Sequence, residues 1–516
     1  MIDTSPINDV WRRLDPRMLV VGPLKNLLQL LPFAVVVLLT GRSSDLVQVW
    51  MAVGGAAVVV LAGVLRWRTT RYRITGDRVE LRTGWLRRER RSVPRDRIRT
   101  VDLTASPLHR VFGLSVVRVG SASGTSGLDR SAQVDLDAVS TAEAEHLRQV
   151  LLDRASASAP TVERPATDIA RLDWAWLRFA PLTFSSLAGI GAVVGAGFNL
   201  LFEAGIDPRD IGIVDDTARR VAAEPLWVGI GIAGAALLVV AVIGSTALFA
   251  ERWSGYRLTR EPDGSLRVRH GLLTTRSLSV SDERLRGAEV SEPLLLRAGR
   301  GAQARALSTG LREGGSGAIA PPAPRAEAHR VAGAALHADP TEATRTPLRR
   351  HPRAALRRRF TRAVLPAAAL VAGAWLLDGW LLDTRAGFAS LVLLPVAAWL
   401  AVDRYRSLGH ALTARHLVTR LGGLRRRTVA LQRDGVIGWT VRQSVFQRRA
   451  GVVTAEAVTA AGRGGYLVLD VAADDAVALA DAVTPELLTP FLSDERHFRR
   501  TGSDESAARQ DVPAPS

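Results

Sequence analysis

The chain has no cysteine, which excludes disulfides, thiolate metal sites and cysteine nucleophiles. Lysine is almost missing as well. Lys25 stands alone, so the net charge of +18 is carried by arginine. Aromatic residues make up 5% of the chain and do not alternate with the basic runs. That argues against base stacking and hence against nucleic acid as a partner. No H-E-x-x-H or similar ligand spacing occurs, so no metal site is expected. No G-x-S-x-G elbow occurs either. No cleavable signal peptide is evident: the first apolar run follows Arg12, Arg13 and Arg17 and continues past signal-peptide length.

What the sequence does have is 47% hydrophobic residues beside 23% charged ones, a mixture that suits membrane spans alternating with polar domains. It also has an internal repeat. Tyr72–Leu114 lies directly behind two apolar runs. Weaker copies begin at Tyr256-Arg257-Leu258-Thr259 and His410-Ala411-Leu412-Thr413, each again behind two apolar runs. One unit, two spans and then a β-rich module, is therefore used three times.

The expected domains follow in order. Residues 1–66 hold the first hairpin (18–40, 47–65), and 67–152 the first module. A Ser/Ala/Pro-rich linker covers 153–170. The second hairpin lies in 171–252 (179–202, 226–250), and a degenerate second module in 253–337. Residues 338–404 hold a basic linker and the third hairpin (363–382, 386–402), 405–492 the third module, and 493–516 a tail expected to be disordered. Lys25, near one end of the first span, can snorkel to the headgroups. In the first module, short alternating runs separated by Gly76-Asp77 and Thr83-Gly84 read as strands. Ser140-Thr141-Ala142-Glu143 reads as the capping box of a closing helix. Ile74, Val79, Leu81, Ile98, Val101 and Leu103 supply the apolar face. Gly84 and Gly113 suit turns with positive φ. In the second module, Gly299–Ala320 is Gly/Ala/Arg-rich where the first has strands.

Charge sets the expected topology. Arg12, Arg13, Arg68, Arg71, Arg178, Arg252, Arg357–Arg359, Arg404 and Arg406 flank the module-side ends of the spans, whereas the loops within the hairpins are short or acidic. The positive-inside rule puts both termini and all three modules in the cytoplasm, at the plasma membrane.

The motifs that could carry chemistry are few. Gly229-Ile230-Gly231-Ile232-Ala233-Gly234 matches the dinucleotide fingerprint but sits inside an apolar run without the required strand, and small residues there let helices approach closely. Asp378 and Asp383 lie near the outer end of span five rather than at mid-membrane, which counts against an ion path. The densest basic run is Arg87, Arg88, Arg90, Arg91, Arg95, Arg97 and Arg99, echoed by Arg425, Arg426 and Arg427. It reads either as a solvated face or as a surface for a protein partner or anionic headgroups, each charge contributing on the order of 1 kcal/mol.

Tyr72-Arg73-Ile74-Thr75, Gly84-Trp85-Leu86, Val93-Pro94, Ile98 and Ser106-Pro107-Leu108 through Gly113-Leu114 resemble the bacterial pleckstrin-homology (PH)-like domain found behind paired membrane helices, as in YdbT-like membrane proteins. The third copy keeps Leu412-Thr413, Gly423-Leu424, Val436, Ser444, Phe446, Arg448 and Gly451. The resemblance implies a mixed membrane protein: six transmembrane α-helices as three hairpins, each followed by a cytoplasmic PH-like β-sandwich or barrel with a C-terminal helix. It implies no enzymatic activity, catalytic residue or cofactor. The expectation is a non-enzymatic scaffold or assembly protein whose partners are the bilayer, a smaller single-repeat PH-domain membrane protein, or a further copy of itself. A transporter or export component, and a membrane-bound enzyme on lipid or cell-wall precursors, are the alternatives.

Overall fold

The computed structural model describes residues 8–25, 46–84, 88–95, 98–121, 133–152, 165–183, 191, 195, 225–309, 317–378, 386–485 and 487. They fall into two compact units. One comprises 1–285, 295–303 and 309–331; the other comprises 286–294, 304–308 and 332–516. The second sequence repeat is thus divided between them.

In the first unit, strand β1 (Asn8–Arg13) precedes the expected first hairpin, and helix α1 (Leu46–Thr69) leads into β2 (Arg71–Ile74), β3 (Arg78–Thr83) and β4 (Glu89–Pro94). These form an antiparallel sheet in the order β1-β2-β3-β4. The module therefore takes a strand from ahead of its hairpin, with Arg12 opposite Tyr72 and Arg13 opposite Arg71. Then come β5 (Ile98–Ala105), the short helix α2 (Pro107–Val111), β6 (Leu114–Ser121), β7 (Gln133–Ser140) and the closing helix α3 (Thr141–Leu152).

Tyr72, Ile74, Val79, Leu81 and Val93 from the first sheet meet Ile98, Val101, Val117, Val119, Val134 and Leu136 from the second, with Ala144, Leu147 and Leu151 of α3 capping the core. Alternation along each strand puts these β-branched and aliphatic side chains on one face. Ser106 caps α2, accepting the His109 N–H, and Pro107 takes the first helical position, where its missing N–H costs nothing.

The next repeat contributes β8 (Thr167–Arg171), helix α4 (Leu226–Trp253), β9 (Arg257–Arg260), β10 (Leu266–His270) and β11 (Thr275–Val280). They do not form a separate sheet. β11 pairs with β5, giving one seven-stranded sheet in the order β7-β6-β5-β11-β10-β9-β8. Gly229–Gly234 lies within α4.

The chain continues through β12 (Leu285–Pro293), α5 (Leu294–Ala298), β13 (Gly301–Ser308), β14 (Ala323–Pro324) and α6 (Arg325–Ala335). The glycine-rich Gly299–Ala320 tract, expected to lack strands, thus holds β13; Gly301 and Ala302 pair with Pro324 and Ala323.

The second unit carries the helices expected to form the third hairpin. α7 (Arg353–Leu377) packs along α8 (Ala386–Ser390) and α9 (Leu393–Arg406). β15 (Gly409–Leu412), β16 (His416–Leu421), β17 (Arg425–Gln432), β18 (Val436–Arg442), α10 (Val445–Arg449), β19 (Val452–Thr459), β20 (Gly465–Ala472) and α11 (Ala473–Val483) follow. β17 pairs with β12, as β11 pairs with β5. The remaining sheet is β18-β19-β20.

Among the described residues, three helical segments are long and apolar enough to cross a membrane: Gly234–Trp253 within α4, Arg353–Leu377 (α7), and Gly387–Arg406, which takes in α8 and α9. Most of the expected spans 18–40 and 179–202 lies outside the described residues. Helix α7 begins at Arg353, so Arg357, Arg358 and Arg359 sit on its first turns.

Candidate functional site

The arginine-rich surface forms around β4. Glu80 of β3 is buried and stands between Arg73 at 2.7 Å and Arg90 at 2.8 Å. Burial pushes its carboxyl up, but the hydrogen bonds from Arg90 and Arg73 outweigh this and hold it below the ordinary range. Arg91 pairs with Glu89 at 2.8 Å. Arg95 is buried, and its guanidinium donates to the carbonyls of Gly76 and Val150. It braces the β-turn against α3 rather than facing outward. Arg88 and Arg90 are exposed. Arg99 lies on β5. Arg87 and Arg97 lie outside the described residues.

The second arginine cluster is used inside the fold. Arg425 Nε donates to Ser291 Oγ at 2.8 Å. Arg426 lies 3.9 Å from Glu292, and Arg427 3.8 Å from Glu289. Both glutamates are buried on β12. Buried carboxylates without nearby cations would cost several kcal/mol, so these arginines make the β12–β17 pairing tolerable.

A third cluster lies where α7 and α9 meet the third module, and the sequence reading missed it. Asp470 on β20 is buried, with φ of 55°. It accepts hydrogen bonds from Arg358, from Arg359 at 2.9 Å and from Gln447 Nε2 at 3.0 Å. Gln447 also closes a capping box with Ser444. Cations on the first turns of a helix oppose its dipole, and Asp470 supplies the anion that offsets them. Beside it, His410 Nδ1 lies 3.1 Å from His351 Nε2, and the Tyr405 hydroxyl donates to the His351 carbonyl at 3.0 Å. Burial, then the neighbouring His351 and Arg349, pushes His410 down to about 4. Burial also lowers His351.

The first module is latched at the same place by other means. Ala138, three residues before α3 as Asp470 is three before α11, has φ of 61°. Its carbonyl accepts the Asp15 N–H at 3.1 Å. Arg66 of α1 pairs with Asp137 at 2.6 Å, and Trp67 Nε1 donates to the Leu14 carbonyl at 3.0 Å. The signal for the third cluster was Asp470 itself, an acid inside the apolar run Tyr466-Leu467-Val468-Leu469. Among the described residues, no three His, Cys, Asp or Glu side chains gather as a metal site would.

Two β-sheets closed by a helix, set directly behind apolar helices and repeated along one chain, define a membrane-associated PH-like protein. The family model for the bacterial PH domain matches twice, at residues 25–155 and 362–486, so the chain carries that domain in its first and third repeats. It is similar to UPF0699 transmembrane protein YdbT of Bacillus subtilis (strain 168), 20% identical over 455 residues, covering 84% of this chain and 88% of the relative. No solved structure matches.

Proposed function

We propose that the protein is a non-enzymatic, multi-pass membrane scaffold that holds three PH-like modules at the cytoplasmic face of the plasma membrane. In this reading the three apolar helices, α1 and the expected spans 18–40 and 179–202 make three hairpins. The observation that carries it is the latch of Arg358 and Arg359 onto Asp470. It fixes a span to its module, which suits presentation of a surface better than a moving gate. The modules offer strand edges for protein association. The exposed Arg88 and Arg90 add attraction for anionic headgroups, about 1 kcal/mol per charge. Reporters fused after Gly41, Asp210 and Arg385 are expected to read extracytoplasmic, and those after Ser156, Thr341 and the C-terminus cytoplasmic. One inverted pair would sink the hairpin arrangement.

A further inference from the structure

The two places where one repeat pairs with the next are the same junction. In each repeat a glycine with φ of 106°, 114° or 110° (Gly84, Gly271, Gly422) opens the last strand of the first sheet. Fourteen residues after each glycine, the first strand of the second sheet begins, at Ile98, Leu285 and Val436. Val93, Val280 and Leu431 are therefore equivalent, as are Thr100, Gly287 and Gly438. In one junction Val280 lies opposite Thr100, and in the other Leu431 lies opposite Gly287. Strand identity, antiparallel sense and register all recur.

The repeat leaves one copy of each edge unused. Among the described residues, β4 has a strand on one side only, and so has β18. Burial shows the difference. Ser279 and Ala430, on covered strands, are 0% exposed, whereas the equivalent Ser92 on β4 is exposed. Ala288 and Val290 on covered β12 are 0% exposed, whereas on β18 Val441, equivalent to Val290, is 53% exposed and Ile437 is 61% exposed.

We infer that β18 of one molecule is the docking edge for β4 of a second copy, in the register already used twice within the chain. Each edge is what the other lacks, and both belong to this chain. The register sets Gly438 opposite Val93, Thr440 opposite Arg91 and Arg442 opposite Glu89. The last pair places the one acid of β4 opposite the one charged residue of β18, and both are exposed. Such head-to-tail contacts are heterologous, so they build a ring or an open row of molecules. The inference rests on the scaffold reading and names its partner.

The cysteine-free chain makes the test direct. Full-length E89C and R442C proteins carrying different tags are mixed in proteoliposomes and oxidised. The expected product is a disulfide-linked pair bearing both tags, formed several-fold more than from E89C with I437C, which is out of register. E89R or R442E alone should reduce head-to-tail association measured by light scattering in detergent, and the double reversal should restore it. Equal yields from R442C and I437C, or no two-tag product, would overturn the inference. Capture of a smaller membrane protein by R442C in native membranes, without the E89C copy, would overturn the second-copy assignment while the scaffold reading stands.

Discussion

Arg359 Nη2 on the second turn of the apolar helix α7 lies 2.9 Å from Asp470 Oδ2 on a strand of the module behind it. Both side chains are largely buried, and Arg358 binds the other carboxylate oxygen. Removing one member of such a group leaves uncompensated charge. Asp470→Ala should destabilise the second unit by about 3–5 kcal/mol. Thermal unfolding of the detergent-solubilised protein checks this. Asp470→Asn, which keeps the hydrogen-bonding shape and tolerates the left-handed backbone, should cost less. Equal melting points for wild type and D470A would show the latch to be energetically idle.

The neighbouring histidines predict a pH dependence. His410 is held neutral, at about 4 against an ordinary value of 6.5. Between those values the unfolded chain binds the proton and the folded chain does not, so stability rises with pH across that window. The effect approaches about 3 kcal/mol at its largest. Melting temperature should fall on acidification from pH 7 to 5. In His410→Gln the fall should be shallower, and an unchanged slope would assign the acid sensitivity elsewhere.

Gly422 has φ of 110°, and a Cβ there would lie 2.0 Å from the Arg425 carbonyl oxygen. Gly271 has the same geometry against the Thr274 carbonyl. Gly422→Ala and Gly271→Ala should each destabilise by about 1–3 kcal/mol through backbone strain and close approach. Ala at Gly438, where nothing lies within 4 Å, should be tolerated. Comparison of the three melting curves checks the difference.

Arg300 occupies the place that Gly113 and Gly451 hold in the other repeats, and it shares their positive φ, 59° against 67° and 63°. An arginine gains nothing from the left-handed region. Arg300→Gly is therefore expected to raise stability by up to about 1 kcal/mol. A lower melting point would mean that the Arg300 side chain contributes more than its backbone costs.

The parts of this fold that were legible in the sequence are local. Gly84 and Gly113 announce left-handed turns because a residue without a Cβ takes that conformation at no steric cost. Val79, Leu81 and Val101 announce a buried face because alternation is a property of one strand. Arg171-Leu172-Asp173 echoes Arg13-Leu14-Asp15, and the structure gives the reason: Asp15 and Asp173 accept the N–H groups of Arg17 and Ala175 at 2.9 Å. What was not legible is pairing at a distance. Nothing in β5 says that its free side will meet β11, since a strand edge is made of backbone and carries no residue code. The Arg425–Arg427 run was read as surface because its partners, Glu289 and Glu292, belong to another repeat. The clue was available in two acids, Glu289 and Glu292, set beside Ala288 and Val290 in one strand, a pattern that is costly when buried unless a cation comes to it.

The β5–β11 and β12–β17 pairings carry a consequence for how the chain is made. The period written in the sequence and the period in which hydrogen bonds close are out of phase by half a repeat. A nascent chain that has finished its first repeat still holds β5 with one raw edge, and the edge is sealed only after helix α4 and four more strands, β8 to β11, have emerged. Fragments cut at the repeat boundaries would inherit that open edge as an aggregation hazard. Fragments cut within a repeat, between β11 and β12, would not expose it.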